Sequence, residues 1–164
     1  MMIDGPIKFC LRCGTPLNMQ LHTGKQRPSC PNCGWVYFPD PKVAVAVLIK
    51  KGDMVLLVQR LYDPQKGYWT LPSGFVDAGE DPVEASKREC LEETGLRIHH
   101  VRLLDVIFGQ EHPRGANILI LYRAEIQSGE LIAGDDANKA EFFNPHKLPP
   151  LAFTSTQRIF DLYF

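Results

Sequence analysis

Three glutamates, Glu89, Glu92 and Glu93, stand at i, i+3 and i+4, so a helix through them would project all three carboxylates from one face. Like charges at that spacing repel, and the set is destabilising unless a cation sits among them. Hard divalent ions prefer such oxygen donors. Magnesium suits the set best, with Mn2+ as its substitute, because it binds through a few carboxylates, keeps waters and bridges phosphate oxygens. The implied chemistry is attack of an activated water on a phosphoryl group, with the developing charge neutralised at the metal. A plainer reading makes the glutamates a solvated surface face paired with Lys87, Arg88 and Arg97.

A second cluster has different chemistry. Cys10-x2-Cys13 and Cys30-x2-Cys33 are separated by sixteen residues, the spacing of a tetrahedral zinc site. Gly14 and Gly34 follow the pairs and permit the tight turn that aims both sulfurs inward. With four thiolates filling the shell, zinc held by Cys10, Cys13, Cys30 and Cys33 is expected to be structural. A disulfide framework would need an oxidising compartment, and the N-terminus has cysteines and a proline where an export signal needs its apolar stretch. Cys90, the fifth cysteine, lies among the glutamates and reads as a small buried hydrophobe.

These residues must be positioned by a fold, and 164 residues suffice for one ordinary core plus a small appendage. Eighteen basic and nineteen acidic side chains nearly cancel, so no global field draws in nucleic acid or an anionic membrane. The longest apolar run, Val43 to Ile49, is far short of the roughly 20 residues of a membrane helix. A cytoplasmic location is the resulting expectation. Pro39-Asp40-Pro41 breaks the chain and predicts a boundary between a cysteine unit at 1–39 and a catalytic domain at 40–164. Val43–Ile49 and Met54–Val58, joined by Lys51-Gly52-Asp53, predict a hairpin entering a buried sheet. Trp69–Leu71 predicts a short strand, and 73–80 a glycine-containing loop. Asp81 as cap, Pro82 at the first position, Glu84 as in a capping box and Gly95 at the end predict a helix over 82–94. Further strands are expected at 98–108, 118–126 and 142–143, and a closing helix at 154–162.

Between these elements lies the pattern Gly74-x5-Glu80-x7-Arg88-Glu89-Cys90-x-Glu92-Glu93-x-Gly95-Leu96, which resembles the Nudix box at every fixed identity. Seven such matches at about 7% per position arise by chance on the order of once per million sequences of this length. The resemblance implies an α/β fold, an α/β/α sandwich with a mixed sheet, preceded here by a small zinc ribbon. It implies hydrolysis of a nucleoside diphosphate derivative, with Glu89, Glu92 and Glu93 as metal-binding carboxylates and the Gly74 carbonyl in the same shell. Glu92 or Glu93 would also orient or deprotonate the attacking water, and Glu80 and Arg88 would brace loop against helix, Arg88 orienting. Cys90 departs from the large aliphatic residue usual there.

Ribbon and box together resemble the zinc-ribbon branch of the family, which includes NADH pyrophosphatases and relatives acting on ADP-ribose or flavin dinucleotides. A small-molecule nucleotide substrate and a homodimer are implied. Phe108-Gly109-Gln110-Glu111-His112-Pro113 lacks the long Pro- and Phe-rich motif of NADH pyrophosphatases, while Pro113 is similar to a proline of ADP-ribose hydrolases. Arg60, by its planar fork, and Trp69, by stacking, are candidate substrate contacts, against an ordinary solvated arginine and a core aromatic. Glu130, Asp135, Asp136 and Glu141 lie where many Nudix enzymes supply a further acid, and the residues do not choose among them. The competing functions are a nucleic-acid or partner-binding ribbon on an inactive scaffold, and an enzyme acting on the nucleotide cap of RNA.

Overall fold

A computed structural model describes residues 7–109 and 115–164, and in it the chain divides into two compact units, Met1–Asp40 and Pro41–Phe164. Pro113 and the three residues before it lie outside the described residues.

The first unit is built on one hairpin. Strands β1 (Asn18–His22) and β2 (Lys25–Ser29) pair antiparallel from Asn18↔Ser29 to His22↔Lys25. Thr23 and Gly24 both have positive φ, as a two-residue turn matched to the twist of the strands requires. Most of the hairpin's side chains are exposed, so apolar burial contributes little to holding this unit together.

In the second unit the elements run β3 (Val43–Lys51), β4 (Met54–Arg60), β5 (Trp69–Thr70), β6 (Ser73–Phe75), α1 (Pro82–Thr94), β7 (Leu96–Phe108), β8 (Ile118–Gly129), β9 (Ala137–Phe143) and α2 (Thr154–Tyr163). The order β5-β4-β3-β8-β7 makes one mixed sheet: β3 runs parallel to β8, and β7 antiparallel to it. β6 also pairs with β3, and β9 with β4. The unbroken apolar run of β3 has its reason here, because each face of the strand is covered. Ala46 and Leu48 pack with Leu57, Leu121, Ile159 and Phe160 on the α2 side. Val47 and Ile49 pack with Leu56, Cys90 and Ile98 on the α1 side, and Val45 with Ala85 and Tyr122. Period-two alternation thus divides one strand between two cores, giving the α/β/α sandwich with a mixed sheet.

Three local differences from the sequence reading share a cause. The β3–β4 hairpin pairs only at Lys50↔Val55 and Lys51↔Met54, because β6 takes the same edge of β3 at Ala44–Ala46. Ser73–Phe75, expected as loop, is the strand that takes Ala44–Ala46. β9 begins at Ala137 rather than Phe142, since β4, released from β3, pairs with it as far back as that residue. Strand pairing is non-local, and short polar segments take it up where an open edge exists.

Candidate functional site

Helix α1 begins where Asp81 Oδ1 accepts the Val83 N–H at 2.8 Å and ends at Gly95, φ 71°. Glu84 pairs with Lys87 at 2.7 Å, a surface contact. The helix packs against β3, β6, β7 and β9, with Ala85, Cys90 and Thr94 on its buried side. Glu89 and Glu93 lie at the margin of that side and are themselves buried, while the Glu92 side chain remains 42% exposed.

Strand β6 fits against these carboxylates. The Ser73 N–H donates to Glu93 Oε2 at 2.8 Å. At Gly74 an added Cβ would meet all three carboxylate-group atoms of Glu89 at 2.1–2.2 Å, so a larger residue would push the Glu89 carboxylate out of this position. The φ of Gly74 is not the constraint; space is.

Arg88 ties the cluster together. Its Nε and Nη2 fork onto Glu80 Oε1 and Oε2, both at 2.8 Å. Nη1 donates to Glu89 at 2.6 Å and to Glu92 at 3.1 Å, and Nη2 also donates to the Phe75 carbonyl at 3.0 Å. A guanidinium has five N–H groups, and these five bonds use them all. Arg88 therefore holds carboxylates and loop in place without a donor to spare for a ligand. Glu80 in turn accepts the Asp77 N–H at 3.0 Å, and the Arg88 fork beside it brings its carboxyl down to about 2.

Glu89 and Glu93 shift the opposite way. Burial raises Glu89, against the pull of Arg88, and the charges of Glu92 and Asp136 add to the rise. Burial raises Glu93 further, with Asp136 and Glu89 again contributing. The Asp136 side chain lies beside Glu93, and its backbone carbonyl accepts the Leu61 N–H at 2.8 Å. Its loop docks on the helix end, where the Gly134 N–H donates to the Glu93 carbonyl at 3.2 Å. Of the four later acids, Asp136 is the one brought to Glu89 and Glu93; no periodicity marks it in the sequence. Crowded, buried carboxylates that resist ionisation, set against the backbone of Gly74, are a donor set that fits a hard divalent cation.

A cleft of about 300 Å³ opens beside the cluster, with Ser73, Gly74 and Phe75 in its wall. Arg60 lines it, its guanidinium 5.2 Å from the Phe153 ring centre and its Nε donating to the Pro64 carbonyl at 2.7 Å. Trp69 lies elsewhere: 7% exposed, it packs edge-on against Phe143 at 4.7 Å between centroids, in the α2-side core.

The four N-terminal cysteines converge as the spacing demands. Sulfur separations are 3.5 Å for Cys13–Cys30 and 3.6 Å for Cys10–Cys33 and Cys13–Cys33. A disulfide needs about 2.05 Å, whereas thiolates bound tetrahedrally at about 2.3 Å lie roughly 3.8 Å apart. The set can hold a metal ion. Hydrogen bonding at Thr15, from side chain and backbone, lowers the Cys13 thiol to about 6. Cys90 stands apart, with no exposure and its thiol pushed by burial up to about 11, so it is an inert core residue.

The family model described as the NUDIX domain matches residues 40–163. An ADP-ribose pyrophosphatase of Methanocaldococcus jannaschii is 45% identical over 122 residues, 74% of this chain and 72% of that protein. The NAD-capped RNA hydrolase NudC of Pseudomonas aeruginosa is 33% identical over 159 residues, 95% of this chain, which spans only 55% of that relative. Among solved structures, a NUDIX hydrolase from Nitrosomonas europaea superposes with a TM-score of 0.78 at 28% identity, covering 93% of this chain and 87% of its own.

Proposed function

The chain belongs to the NUDIX family, and from that premise we propose that it hydrolyses the diphosphate linkage of a nucleoside diphosphate derivative, ADP-ribose foremost, with dinucleotides such as FAD and NAD(H) in the same class. The observation that carries this reading is the close fit of Glu89 over Gly74, a residue of the cleft wall, with Glu92 and Glu93 on the same helix. The 45% identity to an ADP-ribose pyrophosphatase supports the choice of substrate.

In this reading Glu89, Glu92, Glu93 and the Gly74 carbonyl hold the ion. Mg2+ or Mn2+, when bound, screens phosphate charge and makes a coordinated water acidic. Glu93, enclosed and fixed by Ser73, serves as a rigid ligand. Glu92 keeps contact with solvent, and we assign it acceptance of the proton from the attacking water. Arg88 orients Glu89 and Glu92 while Glu80 anchors Arg88 to the loop. Asp136 adds negative charge beside Glu93. Arg60 meets the substrate in the cleft. Residues 1–39 are read as a structural zinc ribbon and 40–164 as the catalytic domain, with a homodimer as the assembly.

A substrate panel in Mg2+ tests the reading: ADP-ribose is expected to yield AMP and ribose 5-phosphate, with FAD and NADH cleaved at the same linkage. Failure on every diphosphate would refute it. A second reading, hydrolysis of NAD-capped RNA, is favoured by one observation, that the match to NudC runs through the cysteine unit as well as the box. The RNA substrate belongs in the same panel, and faster turnover of capped RNA than of free NAD would favour it.

A further inference from the structure

Strand β7 carries an irregularity that brings two histidines together. Between His99↔Glu125 and Arg102↔Arg123 it advances three residues while β8 advances two, so one extra residue is bulged out of the ladder. In a regular strand His99 and His100 would point to opposite faces. Here His100 takes a φ of 49°, in the left-handed region, and the two imidazoles stack on one side at 4.1 Å between centroids. Glu125, opposite His99 on β8, turns its carboxylate to both: Oε2 lies 3.3 Å from His100 Nδ1 and 3.8 Å from His99 Nε2.

We propose that His99, His100 and Glu125 form a surface site for a divalent transition-metal ion of the zinc class, sharing no ligand with the cysteine or glutamate clusters. Imidazole is a ligand that zinc, nickel and copper prefer over magnesium, and two imidazoles with one carboxylate make a three-ligand set with room for water. For bonds of about 2.1 Å, tetrahedral ligands stand roughly 3.4 Å apart. The two nitrogen–oxygen separations bracket that value, and the three ligand atoms lie within 4.8 Å of one another. A surface His–Glu pair needs a single ring; here the bulge converges two. All three side chains reach solvent, so an ion can enter without opening the fold. Glu125 supplies the negative charge that the rings lack.

The test is a Zn2+ titration of the full chain with the cysteine site already zinc-loaded and Mg2+ in excess, read by NMR of the imidazole nitrogens. His99 and His100 are expected to shift together and saturate at one ion, with His22 and His146 unmoved. Glu125→Gln should weaken binding about tenfold and His100→Ala at least as much, in proteins whose backbone spectra show the fold intact, while Glu93→Gln leaves it unchanged. Absence of a shift at up to millimolar Zn2+ would overturn the site, as would shifts of equal size at His146 or an affinity unaltered in His100→Ala.

Discussion

The cysteine cluster and the glutamate cluster both gather ligands that repel one another, and they differ in what surrounds the ligands. Around the cysteines the hairpin is short and largely exposed, so in the proposed zinc ribbon the four sulfurs, all within 4.8 Å of one another, would supply through metal bonding what a core supplies elsewhere. Around the glutamates the fold is complete without any ion: two apolar layers flank the sheet, and Arg88 with the Ser73 N–H already neutralises part of the charge. Under the proposed function, a closed site on a thin scaffold serves stability, and an open site on a full core serves turnover. Removing metal should therefore unfold the first region and silence the second.

The largest effect is expected from stripping zinc. Structural zinc sites in small units contribute on the order of 10 kcal/mol, so chelation or Cys13→Ala should abolish the native NMR signals of residues 7–40. The second unit should keep its melting transition, and joint unfolding of both units would break the comparison. Glu93→Gln comes next, with kcat on ADP-ribose reduced about 10³-fold, or about 4 kcal/mol, and little change in thermal stability. Gly74→Ala should cost about 10²-fold in kcat, because the added methyl must displace Glu89 or the strand beside it. Smallest, Cys90→Ser should lower stability by about 1–2 kcal/mol in urea unfolding and leave kcat near the native value, since the change puts a hydroxyl into the α1-side core. A catalytic role for the thiol would reverse that pattern.

The Glu80–Arg88 pair sharpens the contrast through pH. Glu80 is held down to about 2 against an ordinary carboxylate value near 4.3, so its stabilisation is complete above the latter and is lost as pH falls toward the former. Urea midpoints of native protein and Glu80→Gln, measured from pH 6 to pH 3, should converge on the acid side.

Much of this was legible in the residues because the signals were local. Asp81, Pro82 and Gly95 delimit α1 as their chemistry predicts, and Arg88 reaches Glu80 and Glu92 as one helical turn and the loop allow. What the residues did not disclose was non-local. The pairing of Ser73–Phe75 with β3 depends on an edge left open by β4, 13 residues or more away in sequence. Asp136 reaches Glu93 only because its loop docks on the end of α1, and neither partner's spacing encodes that approach. The choice between Trp69 as a stacking surface and as core turned on which face of β5 meets Phe143, a fact of sheet packing. Glu84 matched the capping-box pattern, yet Lys87 one turn on took its carboxylate.

In the proposed function the open carboxylate cluster, rather than the cysteine cluster, carries the chemistry. Its most direct test is the Mg2+-dependent rate of AMP release from ADP-ribose by the native chain, by Glu92→Gln and by Glu93→Gln, each with the cysteine site fully zinc-loaded. Turnover is expected to require Mg2+ in the native chain and to fall about 10³-fold in both variants. Native-like rates in both variants would contradict it.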